Sequence, residues 1–124
     1  MLPQLSAAVR VFLCSQPTDM RKSFDGLVGM VREYLGQDPL SGHLFLFLNR
    51  RRDRVKILFW ERDGLVIWYK RLEAGTFQQL DPAACAGRTS GNAGVELTTT
   101  DLALLLTGVD LASARRRKRY ARAS

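Results

Sequence analysis

The sequence predicts a single α+β domain in which an antiparallel meander of three to five strands packs on one amphipathic helix. Three observations carry that expectation. Between His43 and Leu72 lie three runs, Leu44 to Leu48, Val55 to Trp60 and Leu65 to Tyr69, rich in the Phe, Ile, Val, Trp and Tyr that suit a pleated surface. Upstream, Met20, Phe24, Leu27, Val28, Val31 and Leu35 recur at helical spacing and form one continuous apolar stripe. Finally, a chain of 124 residues with 46% hydrophobic content suffices for one domain with its own core.

The elements follow in order. Met1 to Ala8 show no period and read as a lead-in. Val9 to Cys14 read as a short strand with Val9, Val11 and Leu13 on one face, placed beside the meander as a fourth strand. The helix has two compatible starts. Thr18 can serve as N-cap with Asp19 in the first turn, or Thr18 to Lys22 form a turn and Ser23 is the cap. Gly36 and then Asp38-Pro39 stop it. Gly26 and Gly29 inside it each cost on the order of 1 kcal/mol against alanine.

Within the meander, Asn49 to Arg54 closes the first hairpin and presents Arg50, Arg51, Arg52 and Arg54. Asp63-Gly64 signals the second hairpin, with both turn residues expected at positive φ. A loop centred there pairs Trp60 with Ile67, Leu58 with Tyr69 and Lys56 with Arg71. One face then carries Lys56, Leu58, Trp60, Ile67, Tyr69 and Arg71, and the other Val55, Ile57, Phe59, Val66, Trp68, Lys70 and Leu72. Both faces are largely apolar, more than a single helix obviously covers. Lys56 opposite Arg71 is a like-charge pair that an anion would relieve, extending the basic surface from the loop onto the sheet.

After Glu73 the composition loosens, and residues 83–94 read as a flexible loop. Val95 to Leu97 suggest a last short strand. Thr98 to Asp101 supply N-caps for a short helix striped by Leu102, Leu105, Leu106 and Val109 and ended near Gly108. The domain is expected over 1–112. Residues 113–124 have too little apolar content to fold and read as a disordered basic tail.

Charge distribution frames the functional question. The net charge is +7, yet residues 1–49 are neutral, 50–71 carry +5, 72–114 carry −4 and 115–124 carry +6. Two basic packets separated by an acidic stretch point to a polyanionic partner, nucleic acid before membrane. Arginine favours bidentate phosphate contacts. The candidate nucleic-acid-binding residues are therefore Arg50, Arg51, Arg52, Arg54, Lys56, Lys70 and Arg71, with Arg115, Arg116, Arg117, Lys118 and Arg119 in the tail. The bland alternatives are a solubilising hairpin tip and a solvated arm. Trp60, Trp68 and Tyr69 have faces on which bases can stack, although aromatics at strand spacing more often belong to a core.

Catalysis finds little support. His43 is the single histidine, the aspartates sit mainly at caps and turns, and no phosphate-cradling glycine loop or nucleophile elbow appears. A hydrolase is only a remote alternative, and no metal or cofactor is expected. Cys14 lies in an apolar run as a small buried hydrophobe, and neither it nor Cys85 has a CxxC partner. The absence of a signal peptide pattern or membrane span favours a cytoplasmic setting.

With these residues in view, the chain resembles the small accessory proteins, often called TnpB, of the insertion-sequence family numbered sixty-six. The resemblance is carried by Pro17 to Leu27 (PTDMRKSFDGL), Gly42 to Phe45 through Asn49 to Asp53, Lys56 to Trp60, and Trp68 to Glu73. It covers Val9 to Phe77 and implies a helper encoded beside a separate transposase. The unrelated RNA-guided nuclease of the same name has no counterpart here, and no catalytic residues are implied. Two functional readings follow. One is a DNA-binding accessory protein acting on element ends through the arginine hairpin and tail. The other is a module that docks on the transposase through an apolar sheet face containing Leu58, Trp60, Ile67 and Tyr69. Homo-oligomerisation stays open under both.

Overall fold

The computed structural model describes residues 8–79 and 87–107. In chain order the elements are β1 (Val11–Cys14), α1 (Phe24–Glu33), β2 (Leu44–Leu48), β3 (Arg54–Glu61), β4 (Gly64–Arg71), β5 (Thr89–Ser90), β6 (Gly94–Leu97) and α2 (Thr99–Thr107). Among the described residues the strands form one sheet in the order β4-β3-β2-β1-β6-β5. The expected meander is present as β2-β3-β4, and β1 is its neighbour as anticipated. The sheet is nevertheless mixed, because β1 runs parallel to β2 and antiparallel to β6. Adjacent parallel strands need a long crossover, and the segment carrying α1 supplies it.

Burial explains the composition of the central strands. All of β1 (VFLC) and β2 (LFLFL) is buried, a continuous apolar run that requires cover on both sides. On one side Phe12, Phe45, Phe47 and Leu58 pack against Leu27, Met30, Val31 and Leu35 from α1 and its end. On the other, Leu13, Leu46, Val55, Ile57 and Phe59 pack with Phe77 and with Leu102 and Leu105 of α2. The one-helix expectation is thus corrected: the second apolar face is closed by α2 and the segment around Phe77.

Three local expectations also change. The β3–β4 register pairs Leu58 with Ile67, Lys56 with Tyr69 and Arg54 with Arg71. This is two residues from the anticipated pairing, so the division into faces survives while the opposed cations become Arg54 and Arg71. The turn is Arg62-Asp63, and its left-handed residue is Arg62 at φ 56°. Helix α1 takes the later start, with Ser23 at the N-cap position but no side-chain capping bond. Thr18 is buried instead, its N–H donating to the Leu48 carbonyl at 2.8 Å.

The stretch expected as a loop over 83–94 is also revised within its described part. Residues 89–97 form a β5–β6 hairpin whose turn presses on the end of α1. Ala93 N–H donates to the Tyr34 carbonyl at 2.9 Å, and Ser90 Oγ donates to the Leu35 carbonyl at 2.5 Å. Helix-terminal carbonyls lack partners within the helix, so the hairpin satisfies that of the C-cap residue Tyr34 and, one residue beyond, that of Leu35. Gly91 sits in this contact at φ +63°, where a Cβ would lie 2.6 Å from both Leu35 C and Tyr34 O. Next along the chain, α2 is capped reciprocally. Asp101 N–H donates to Thr98 Oγ1 and Thr98 N–H donates to Asp101 Oδ2, both at 3.0 Å. Val109, Gly108, Cys85 and the tail lie outside the described residues.

Candidate functional site

Parallel pairing of β1 and β2 brings their C-terminal ends together, so the loops that follow them become neighbours. The first loop contains Thr18, Asp19, Met20 and Arg21; the second is Asn49 to Asp53. Between them is a groove of about 420 Å³ that also takes in Arg54 and Tyr69 from β3 and β4.

The arginine loop owes its shape to Asn49. Its Oδ1 accepts from Asp53 N–H at 3.1 Å and Arg54 N–H at 3.0 Å, while Nδ2 donates to Asp53 Oδ1 at 2.7 Å. One asparagine side chain thereby satisfies the inside of the turn. Arg52 takes the left-handed conformation at φ 61°, its carbonyl accepts from Phe77 N–H, and its Nη2 donates to the Gln78 carbonyl at 2.9 Å. The Asp53 carbonyl accepts from Leu72 N–H at 2.7 Å. Anchored on that side, the loop leaves Arg50, Arg51 and Arg54 on the groove. None of the three forms an ion pair with another described residue.

The facing loop is also locally organised. Asp19 Oδ1 accepts from Arg21 N–H at 2.9 Å, and the Arg21 guanidinium lies against both carboxylate oxygens at 2.7–3.2 Å. Those hydrogen bonds from Arg21 hold the Asp19 carboxyl down to about 2. Beneath this loop lies Lys56, only 8% exposed, donating to the Met20 carbonyl at 2.8 Å and the Lys22 carbonyl at 2.7 Å. Its Nζ is also 4.8 Å from the centroid of the Tyr69 ring.

Of the residues expected from sequence to meet nucleic acid, Arg50, Arg51 and Arg54 converge. Arg71 is exposed on the same sheet face opposite Arg54 but is paired with Glu73 at 2.9 Å. Arg52 is turned toward the chain around Gln78. Lys70 is exposed on the opposite face, across from Val55. Lys56 is corrected from surface cation to interior strut, since its ammonium is spent on two backbone carbonyls. Arg115 to Arg119 lie outside the described residues. Sequence reasoning missed Arg21, whose proximity to residue 50 depends on the parallel pairing. A helix between two adjacent strands was the available signal for that arrangement.

The apolar docking face is corrected too. Leu58 is fully buried beneath α1 and Ile67 packs with it, while Trp60 is partly exposed and Tyr69 is 48% exposed. His43 belongs to the strand-end framework. Its Nδ1 accepts from Arg10 N–H at 3.0 Å, its ring is 5.9 Å from Phe12, and burial, then the charge of Arg10, lowers its pKa. Cys14 is buried, which raises its thiol pKa. Among the described residues no His, Cys, Asp or Glu group of three or more could hold a metal ion. No helix there is long and apolar enough to cross a membrane.

Comparison with known proteins sets this geometry in context. The model of the family described as IS66 Orf2-like protein matches residues 9–116. The chain belongs to that family. It is therefore an accessory protein of an insertion sequence, placed in the setting of transposition. Two curated relatives come from Sinorhizobium fredii (strain NBRC 101917 / NGR234). The uncharacterized protein y4jC is 30% identical over 112 residues, 90% of this chain and 89% of its own length. The uncharacterized protein y4hO is 34% identical over 102 residues, 82% of each. No solved structure matches the chain.

Proposed function

We propose that this IS66 accessory protein acts beside the transposase of its element by binding DNA phosphates at the element ends, using the groove between the two loops. The observation that carries this reading is the convergence of Arg21, Arg50, Arg51 and Arg54, from separate parts of the chain, on one groove. Arginine forks suit phosphate oxygens, and three of these four have no carboxylate partner among the described residues. The tail from Arg115 to Arg119 adds a second, sequence-independent phosphate contact. Such contacts fix position and read no bases.

Binding to an element-end duplex, measured over a range of salt, tests the reading. If Arg50, Arg51 and Arg54 each meet one phosphate, alanine at all three makes the log–log salt slope shallower by about 2.7, at about 0.9 per phosphate. Deleting residues 113–124 removes a further share and leaves the groove-dependent part intact. Unchanged binding by the triple variant, or no DNA binding by the wild type at low salt, rejects the proposal.

A further inference from the structure

We infer that the groove takes a nucleotide whose base is unpaired, stacked on Tyr69, so that the protein favours single-stranded DNA over duplex. This rests on the phosphate reading above and adds the form of DNA that the site selects. Three features support it. Tyr69 is a large aromatic left 48% exposed, on the same groove as Arg50, Arg51 and Arg54. The Lys56 ammonium occupies one side of its ring, at 4.8 Å from the centroid, and is itself fixed by the Met20 and Lys22 carbonyls. One side of the ring is thus taken by a fixed cation, and the half-exposed ring lines the groove. The groove, about 420 Å³ in volume, is wide open to solvent, so a strand can lie along it and turn one base inward without being enclosed.

The distinction between strands is steric. In a duplex the base faces are covered by their neighbours, and a tyrosine set on the sheet between two loops meets only backbone. A single strand can lay its phosphates on the arginines and turn one base onto the ring. Stacking of this kind tolerates any base, since each has a π face.

The test measures anisotropy of one short labelled oligonucleotide, single-stranded or annealed to its complement, with the wild type, Tyr69→Phe, Tyr69→Leu and the Arg50, Arg51, Arg54 triple alanine variant. A second single strand carries 2-aminopurine to report stacking by quenching. Tyr69→Leu keeps apolar cover over Lys56 while removing the aromatic face. The wild type is expected to bind the single strand more tightly, on the order of tenfold, and to quench the probe. Tyr69→Phe keeps both properties; Tyr69→Leu loses both and retains duplex affinity. Equal wild-type affinities for the two forms, or a preference and quenching that persist in Tyr69→Leu, overturn the inference. If the triple variant still weakens binding to both forms in that event, the phosphate reading stands alone. If the triple variant binds both forms like the wild type, the phosphate reading itself fails.

Discussion

Replacing Lys56 by methionine separates a structural cation from a phosphate contact. The side chain is 8% exposed, and its ammonium donates to two carbonyls, of Met20 and Lys22, at 2.8 and 2.7 Å. A hydrogen bond from a charged donor contributes about 1.5–3 kcal/mol net, so the two together amount to about 3–6 kcal/mol. The contact with Tyr69 adds about 0.5–1 kcal/mol for a partly exposed ring. Methionine fills much of the stem's space and removes a desolvated charge, and the residues whose carbonyls lose the donor, Met20 and Lys22, are half-buried and exposed respectively rather than in the core. Those offsets bring the expected loss to about 2–4 kcal/mol. Urea denaturation reads it as a lower midpoint with an unchanged slope against urea. The salt dependence of DNA binding supplies the second reading. Lys56→Met keeps the wild-type log–log slope, whereas Arg54→Ala makes it shallower by about 0.9. Wild-type stability combined with a slope reduced by about 0.9 would refute the interior role and return Lys56 to the binding surface.

Three further outcomes follow from specific contacts. Gly91→Ala places a Cβ 2.6 Å from the backbone of Tyr34 and Leu35 at a residue with φ +63°, so the β5–β6 turn must lift from α1. A loss of at least about 2 kcal/mol is expected, seen as a melting temperature lower by on the order of 10 °C; an unchanged transition contradicts the close approach. For His43, the folded-state pKa lies below the ordinary 6.5 because of burial and Arg10. Above that value both states are neutral. As the pH falls through it the unfolded chain takes the proton first, and stability declines until the folded pKa is passed. An NMR titration placing His43 above 6.5 would reverse the sign. Asp19, held at about 2 by Arg21, stays ionised in the groove through the neutral and mildly acidic range. Asp19→Asn should therefore tighten oligonucleotide binding, by removing a like charge and releasing Arg21; weaker binding by a folded variant counts against an anion site there. The carboxylate's own contribution to stability is present above about 3.8 and is lost as the pH falls toward about 2.

The parts of the fold visible in the sequence were those set by short-range pattern. The three meander runs, the α1 stripe with its stop at Gly36, and the Thr98–Asp101 cap depend on neighbours within a turn or a strand. The parallel pairing of β1 with β2 depends on residues some thirty positions apart, and no local periodicity encodes it. The doubly apolar sheet did carry the signal for cover on both faces. The face with Leu58 and Ile67 was open to being read as a docking surface because the α1 stripe does not say which side of the sheet it will cover, and α1 closes that one while α2 closes the other. The β3–β4 register slipped by two because Arg62, not the Asp-Gly pair, takes the left-handed conformation. A shift of two preserves side-chain parity. The arginine loop was legible as a basic packet, but the fate of each arginine was not.

That fate follows from how a loop reverses the chain. The Asn49 side chain binds the Asp53 and Arg54 amides, and the chain around Phe77 and Gln78 binds Arg52 from the other side. With one arginine used as an anchor, Arg50, Arg51 and Arg54 are carried on a hydrogen-bonded frame beside Arg21. A frame of this kind limits the conformational freedom lost on binding, which is the main opposing term when long cationic side chains are ordered. A disordered run such as that expected for Arg115 to Arg119 would gain its affinity chiefly from counterion release and would fit any polyanion. The groove adds spacing and an aromatic surface to the same charge. If the protein distinguishes one form of DNA from another, the discrimination belongs to the groove, with the tail contributing affinity common to both.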